Sequence, residues 1–235
     1  AQPEDVDPPA KLVRQILSLG ARRRLKPLAA VVTAPTLRPD GSVIATAGHD
    51  AETGLFLHID DCDVMPIPET PDRQAVARAL EVLMEPFREF PLVDAYAWGA
   101  LLSALLTAVV RSALPTAPAF AIDAPVQGSG KTLLASCIAA LATGSPPEIW
   151  PHTAGRDDEE VRKRLFTALR DGATALVWDN VTGVLNSAAL AAAITAPVLC
   201  DRVLGRSESL GIPNRALLLL TGNNLCPAGD LSRRL

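Results

Sequence analysis

The sequence predicts an α/β protein in which helices cover both faces of a parallel sheet, giving a three-layer sandwich. Two observations support this prediction. From residue 119 onward, short apolar runs alternate with segments of helical spacing, the pattern of strand–helix–strand units in a parallel sheet. Hydrophobic residues make up 49% of the 235 residues and charged residues 20%, which indicates an ordered chain with a sizeable core.

The segment before this core predicts a small β-meander followed by helices. Three short strand-like runs, at residues 27–32, 42–46 and 54–59, are separated by turn sequences. Two helical runs follow. Pro71 suits a first helical position, and Pro86 suits a helix end or a kink.

The chain therefore divides into three predicted parts. The first is a mostly-β accessory domain, the second a helical region packed on the core, and the third the α/β core, which we expect to be truncated at its C-terminus. These parts comprise residues 1–70, 71–114 and 115–235. Within the core, strands are expected at residues 119–123, 148–150, 173–179 and 216–221, and an amphipathic helix at 157–170.

A glycine-rich segment, Ala-Pro-Val-Gln-Gly-Ser-Gly-Lys-Thr at residues 124–132, lies between the first core strand and a predicted helix. This is the context of a phosphate-binding loop, in which backbone N–H groups and the helix N-terminus face the phosphates. Pro125 stands where such loops usually begin with glycine, so we expect a variant loop. The candidate nucleotide-binding residues are Gln127, Gly128, Ser129, Gly130, Lys131, Thr132 and Leu133.

Two further core strands end in polar residues that complete a candidate ATP–Mg²⁺ site. Lys131 can reach the terminal phosphates, and Thr132 and Asp179 are the candidate Mg²⁺ ligands. Asn180 stands where many ATPases place the carboxylate that activates water, so hydrolysis is expected to be slow or to use another base such as Glu159, Glu160 or Glu208.

The last predicted strand and its surroundings supply the remaining candidates. It ends in Thr-Gly-Asn-Asn, and an amide of Asn223 or Asn224 could reach the γ-phosphate or the attacking water. Arg233 or Arg234 could act as an arginine finger in a neighbouring subunit's site. A predicted hairpin at residues 201–215 carries Arg206 at its tip, either as a contact to a DNA backbone or as part of a purely structural turn.

Charge and composition limit the possible partners. A net charge of −4 and a pI near 5.4 argue against bulk electrostatic binding of nucleic acid, so any contact must be local. The four cysteines lack metal-site spacing and suit a reducing cytoplasm. The uncharged run at residues 95–110 is short for a membrane span, so we expect a core helix and no membrane partner.

Together these motifs resemble the helicase-like ATPase part of primase–helicase proteins from phages, plasmids and integrated elements, relatives of superfamily 3 helicases in the AAA+ group of P-loop NTPases. The resemblance covers residues 115–235. It implies a ring, usually hexameric, that translocates on single-stranded or forked DNA at the expense of ATP, with a primase domain or protein as a further partner. It also implies that Lys131 and Thr132 contact phosphate and Mg²⁺, Asp179 is the second metal ligand, and Asn223 is the sensor of the γ-phosphate.

The sequence thus predicts an ATP-hydrolysing, helicase-like motor that acts in replication of a mobile genetic element. The alternative is an assembly or loading module that binds ATP, hydrolyses little of it, and recruits a separate helicase. Asn180 and the acidic pI favour the loader, whereas the hairpin and the terminal arginines favour the motor. A small-molecule kinase is disfavoured because no acceptor pocket or lid arginines are marked in the sequence.

Overall fold

The computed structural model describes residues 7–23, 25–59, 67–68, 70–151, 158–202 and 209–235. The helices in these ranges are α1 (Ala10–Ser18), α2 (Arg73–Met84), α3 (Ala95–Val110), α4 (Lys131–Thr143), α5 (Asp158–Arg170) and α6 (Ala188–Thr195). The strands are β1 (Ala30–Val32), β2 (Thr36–Leu37), β3 (Val43–Ile44), β4 (Gly48–His49), β5 (Leu55–Leu57), β6 (Phe120–Asp123), β7 (Ile149–Pro151), β8 (Ala175–Leu185), β9 (Val198–Arg202), β10 (Ser209–Pro213) and β11 (Leu217–Pro227).

A four-stranded parallel sheet forms the centre of the molecule, with the strand order β6–β11–β8–β7. The last strand in sequence, β11, therefore lies between β6 and β8. Because all four strands run in the same direction, the segments that follow β6, β8 and β11 meet at one edge of the sheet. This edge carries the predicted phosphate loop and the polar residues predicted to accompany it.

Helices cover both faces of this sheet, as the sequence predicts. In the apolar runs of β8 and β11, successive side chains point to opposite faces of the sheet, so each run contributes to both helical layers. Val177 and Leu219 pack with α3 and α4 on one face, whereas Trp178 and Leu220 pack with α5 and α6 on the other. The molecule is a mixed α/β structure whose two apolar cores lie on either side of the parallel sheet.

The predicted β-meander in the first part of the chain is wrong. Strands near the three predicted positions are present, but β1 pairs with β5 in parallel, and β3 pairs with the unpredicted β2 as a separate hairpin. A meander requires each strand to pair antiparallel with the next. The turn sequences mark where the chain reverses, but they do not determine which strands become neighbours.

Two features of the core go beyond the predicted elements. Strands β8 and β11 are each 11 residues long and continue past the expected strand ends at residues 179 and 221. Helix α6 was not predicted. Its alanine-rich sequence has no polar face to give an amphipathic pattern, but Ser187 caps its N-terminus by accepting a hydrogen bond from Leu190 N.

Helix α3 explains the uncharged run noted in the sequence. Among the described residues, the helical stretch 95–113 is long and apolar enough to cross a membrane by length and composition, and 28% of it is buried. Asp94 caps its N-terminus by accepting from Ala97 N, and Leu101 and Leu105 pack in the same core cluster as α4 and the sheet. The structure thus places α3 against the core, as predicted.

Arg111, at the end of α3, joins this helix to the start of β11. The residue is 3% exposed, and its guanidinium donates to the carbonyls of Ala216 (2.9 Å), Asn214 (2.8 Å) and Leu114 (2.8 Å). Burial, together with the nearby charge of Arg215, lowers the pKa of Arg111 to about 10, so the group remains charged at neutral pH. Three carbonyls at the amino end of the sheet depend on one side chain.

Replacing Arg111 by alanine is expected to lower the free energy of unfolding by about 3 kcal/mol, because three carbonyls lose a charged donor and a cavity remains. Arg111→Lys should recover only part of this loss, since an ammonium group cannot reproduce the planar arrangement of guanidinium N–H donors. Urea denaturation measures both changes. Arg170→Ala, which removes an exposed arginine paired with Asp171, is the control and should change stability little.

Candidate nucleotide-binding site

The carboxyl edge of the parallel sheet brings most of the predicted site residues together. The phosphate loop follows β6 and leads into α4, Asp179 lies in β8, and Thr221 and Asn223 lie in β11. A hydrogen bond from Thr132 Oγ1 to Asp179 Oδ1 (2.7 Å) links the first turn of α4 to β8 directly. The side chains of two predicted Mg²⁺ ligands, 47 residues apart in sequence, are therefore in contact.

The phosphate loop has the backbone conformation that its glycines allow. Gly128 and Gly130 have φ values of +74° and +83°, in the left-handed region that residues with a Cβ atom rarely adopt. Gly130 is the N-cap residue of α4, and no side chain caps this helix end. Within the described parts of the chain, the N–H groups of its first turn thus have no side-chain acceptor and are available to an anion.

Lys131 is folded back onto its own loop. Its Nζ atom donates to Val126 O (2.8 Å) and Ser129 Oγ (3.1 Å). Both acceptors are uncharged, so a phosphate oxygen at this position would be a stronger partner for the ammonium group. Gln127 and Leu133 are exposed, and their contribution to phosphate binding would come from the backbone.

Asp179 is held by two hydroxyl groups. In addition to Thr132, Thr221 Oγ1 donates to Asp179 Oδ1 at 2.5 Å. Thr221 is 1% exposed and was not among the predicted site residues. The signal that could have revealed it is a hydroxyl side chain directly after four consecutive leucines, in a strand predicted to lie in the core.

A β-bulge in β8 places both Asp179 and Asn180 opposite Thr221 of β11. Trp178 pairs with Leu220 and Val181 with Gly222, so two residues of β8 lie opposite Thr221 alone. Asn180 has a φ of +62°, and its backbone N–H donates to Thr221 Oγ1 (3.1 Å). The Asn180 side chain is exposed, and it is the side chain for which the sequence analysis predicts slow hydrolysis.

The structure also distinguishes Asn223 from Asn224. Asn223 is half-buried, and its buried Oδ1 atom has no hydrogen-bond partner among the described residues. Asn224 is exposed, with a φ of +54°, and belongs to a second irregularity in the pairing of β11 with β8. A buried amide oxygen without a donor is costly unless a ligand or water donates to it, so Asn223 is the better candidate for contact with a water molecule beside a bound nucleotide.

The donor set fits Mg²⁺ bound together with a nucleotide. Among the described residues, no group of three or more His, Cys, Asp or Glu side chains could hold a metal alone. Mg²⁺ needs few protein ligands, because water and phosphate oxygens complete its octahedral shell. Thr132 and Asp179 supply a hydroxyl and a carboxylate at adjacent positions, which suits this mode of binding.

The remaining candidates are not brought to this edge by any described contact. Arg234 donates to Ala191 O and to Thr195 Oγ1 of α6 and pairs with Asp230. Arg233 is exposed and has no hydrogen bond or ion pair within the part of the chain that the structure describes. Of the two, Arg233 is therefore free to reach a neighbouring molecule.

Of the suggested alternative bases, Glu159 is held in an ion pair. Lys163 pairs with Glu159 at 2.8 Å and lowers the pKa of that carboxyl, which weakens it as a proton acceptor. Asp157, Arg206 and Glu208 lie outside the described residues. Strands β9 and β10, which flank residues 203–208 in sequence, pair antiparallel, as the predicted hairpin requires.

A scan against protein-family models gave no match, and a search of curated proteins gave none either. The site is therefore interpreted from its own geometry.

Proposed function

We propose that this protein is a Mg²⁺-dependent ATPase with a P-loop of the AAA+ type, and that ATP hydrolysis drives a helicase-like motor on DNA in replication of a mobile genetic element. One observation carries the ATPase part. Thr132 and Thr221 both donate to Asp179, beside the N-terminus of α4 and a loop lysine. Parallel sheets bind ligands at this edge.

Each residue has a defined task in the proposed reaction. The loop N–H groups and Lys131 bind the β- and γ-phosphates, and Thr132 and Asp179 hold Mg²⁺, which neutralises charge on the phosphates when bound. The amide of Asn223 orients the attacking water or the γ-phosphate by hydrogen bonds. Asn180 cannot accept a proton, so turnover by this site is expected to be slow.

The DNA-acting part of the proposal rests on the sequence resemblance. The same is true of the hexameric ring and a primase partner, whereas the proposed cytoplasmic location rests on the cysteine pattern. The fold is compatible with a P-loop ATPase core, because helices flank a parallel sheet on both faces. The free guanidinium of Arg233 supports assembly in a ring, because an arginine finger must reach the site of another subunit.

The decisive experiment is ATP turnover by this chain with and without single-stranded DNA, over a range of protein concentrations. A motor with a finger acting in trans should show specific activity that rises with protein concentration and with DNA. Turnover that is independent of both would contradict the motor, and failure to bind ATP at all would contradict the ATPase assignment.

The two terminal arginines are expected to separate in their effects. Arg233→Ala should lower turnover at high protein concentration by about 100-fold or more, without changing stability, because no described contact is lost. Arg234→Ala should instead lower the melting temperature, because it removes the bonds to α6 and Asp230. Turnover and thermal unfolding of both variants check this, and equal effects on turnover would argue against a finger role for Arg233.

The exposed amide of Asn180 favours a second candidate function, the nucleotide-gated loader. In this case ATP would bind and promote assembly, with hydrolysis remaining negligible. Strand displacement on a forked duplex separates the two functions: the motor displaces a strand, whereas the loader forms ATP-dependent oligomers without displacement. The acidic pI also suits a module that recruits another protein rather than DNA.

A further inference from the structure

Thr221 carries a hydroxyl group at a buried position where packing alone does not require one. It lies at the end of a strand whose preceding four residues are leucines, and it is almost fully buried. A valine of nearly the same shape would fill this space without the cost of burying a polar group. The hydroxyl is therefore expected to have a task of its own.

Its hydrogen bonds define that task. A hydroxyl has one proton to donate, and Thr221 donates it to Asp179 Oδ1. It also accepts the N–H of Asn180. Thr221 is thus bonded to both of the β8 residues that face it across the bulge, and it fixes the carboxylate relative to the backbone that carries it.

Thr132 donates to the same carboxylate oxygen. If the Thr132 oxygen were to bind a metal ion, the hydrogen bond from Thr132 to Asp179 could be lost. Asp179 Oδ2 accepts no hydrogen bond within the described residues, so the carboxylate then depends on Thr221 for its orientation. Groups that orient a metal-binding side chain in this way strongly affect metal affinity.

We propose that Thr221 is a positioning residue that sets the Mg²⁺ affinity of the nucleotide site by holding the Asp179 carboxylate in place when Thr132 leaves it. This inference rests on the proposed function, because it requires Mg²⁺ to bind with a nucleotide at Thr132 and Asp179. Thr221 itself touches neither the metal nor the nucleotide.

The test is an Mg²⁺ titration of the binding of a fluorescent ATP analogue to the full chain. In Thr221→Val, the Mg²⁺ concentration at half-maximal enhancement of binding should rise at least tenfold, while binding in EDTA stays close to that of the wild type. Thr221→Ser keeps the hydroxyl and should restore the wild-type value. Thr107→Val removes a hydroxyl bonded only within α3 and is the matched control.

The outcomes separate this inference from the proposed function. An unchanged Mg²⁺ midpoint in Thr221→Val overturns the role of Thr221 alone, and so does a serine variant that fails to recover. A wild-type chain that binds no nucleotide, or binds it without any effect of Mg²⁺, overturns both proposals. If circular dichroism shows that the valine variant does not fold, Thr221→Ala and Thr221→Ser form the comparison instead.

Discussion

Replacing Lys131 by alanine is expected to lower kcat/KM for ATP by about 100-fold or more, with little change in stability. The removed ammonium would stabilise the charge that develops on the phosphates, and the loss of one such group from a pre-formed site typically costs two to three orders of magnitude, or about 3–4 kcal/mol. Among the described residues, Nζ donates hydrogen bonds only to Val126 O and Ser129 Oγ. Phosphate release and urea denaturation measure the two quantities.

Lys163→Ala is the matched control for this experiment. It removes the same charge from an α5 lysine whose partner is Glu159, so its turnover should remain close to that of the wild type. Turnover within threefold of the wild type in Lys131→Ala would show that residues 124–132 are an ordinary turn at the start of α4. Such a result would remove the basis of the ATPase proposal.

Replacing Asp179 by asparagine is expected to reduce turnover by about 100-fold or more and to abolish the Mg²⁺ dependence of nucleotide binding. The amide keeps the size of the side chain but loses the negative charge that a divalent cation requires. It also brings donors to a position where Thr132 and Thr221 already donate. The measurements are steady-state turnover and nucleotide binding over a range of Mg²⁺ concentrations.

Asp123→Asn distinguishes a metal ligand from an acid that only links two strands. Asp123 ends strand β6, which is separated from β8 by β11, and its Oδ1 accepts from Leu225 N of β11 at 3.0 Å. This variant should retain its Mg²⁺ response, because the described contact of the Asp123 side chain is to the backbone of β11. If both aspartate variants behave alike, then Asp179 is also a structural residue and the assigned metal site is wrong.

Local sequence signals were sufficient to predict the positions of the core strands and of the glycine-rich loop between β6 and α4. Strand β6, the glycines and Lys131 are consecutive in the chain, so the spacing of residues 119–132 contains the whole motif. The convergence of Asp179 on this loop could also be predicted, because carboxyl ends of parallel strands share an edge. The structure places these residues together as the sequence indicated.

Contacts between distant segments could not be predicted in the same way. The bond between Thr221 and Asp179 depends on the register of β11 against β8 and on a bulge, and neither leaves a periodic signal in one sequence. The parallel pairing of β1 with β5 likewise leaves no signal in the sequence, because it depends on how distant segments pack in the folded chain. In the sequence, Arg111 is only the first charged residue after an uncharged run. Its three carbonyl partners, which link the end of α3 to the start of β11, are visible only in the structure.

The extra residue in β8 also reverses the parity of the strand. Before the bulge, the even-numbered Leu176 and Trp178 face the core that contains α5 and α6, whereas after it the odd-numbered Val181 and Leu185 do so. Deleting Asn180 would make β8 regular and leave both later residues on this side, because Trp178 and Val181 would then be two positions apart. With Asn180 present, a strand without the bulge would turn every later residue of β8 to the opposite side, so the packing of the rest of the strand requires the bulge.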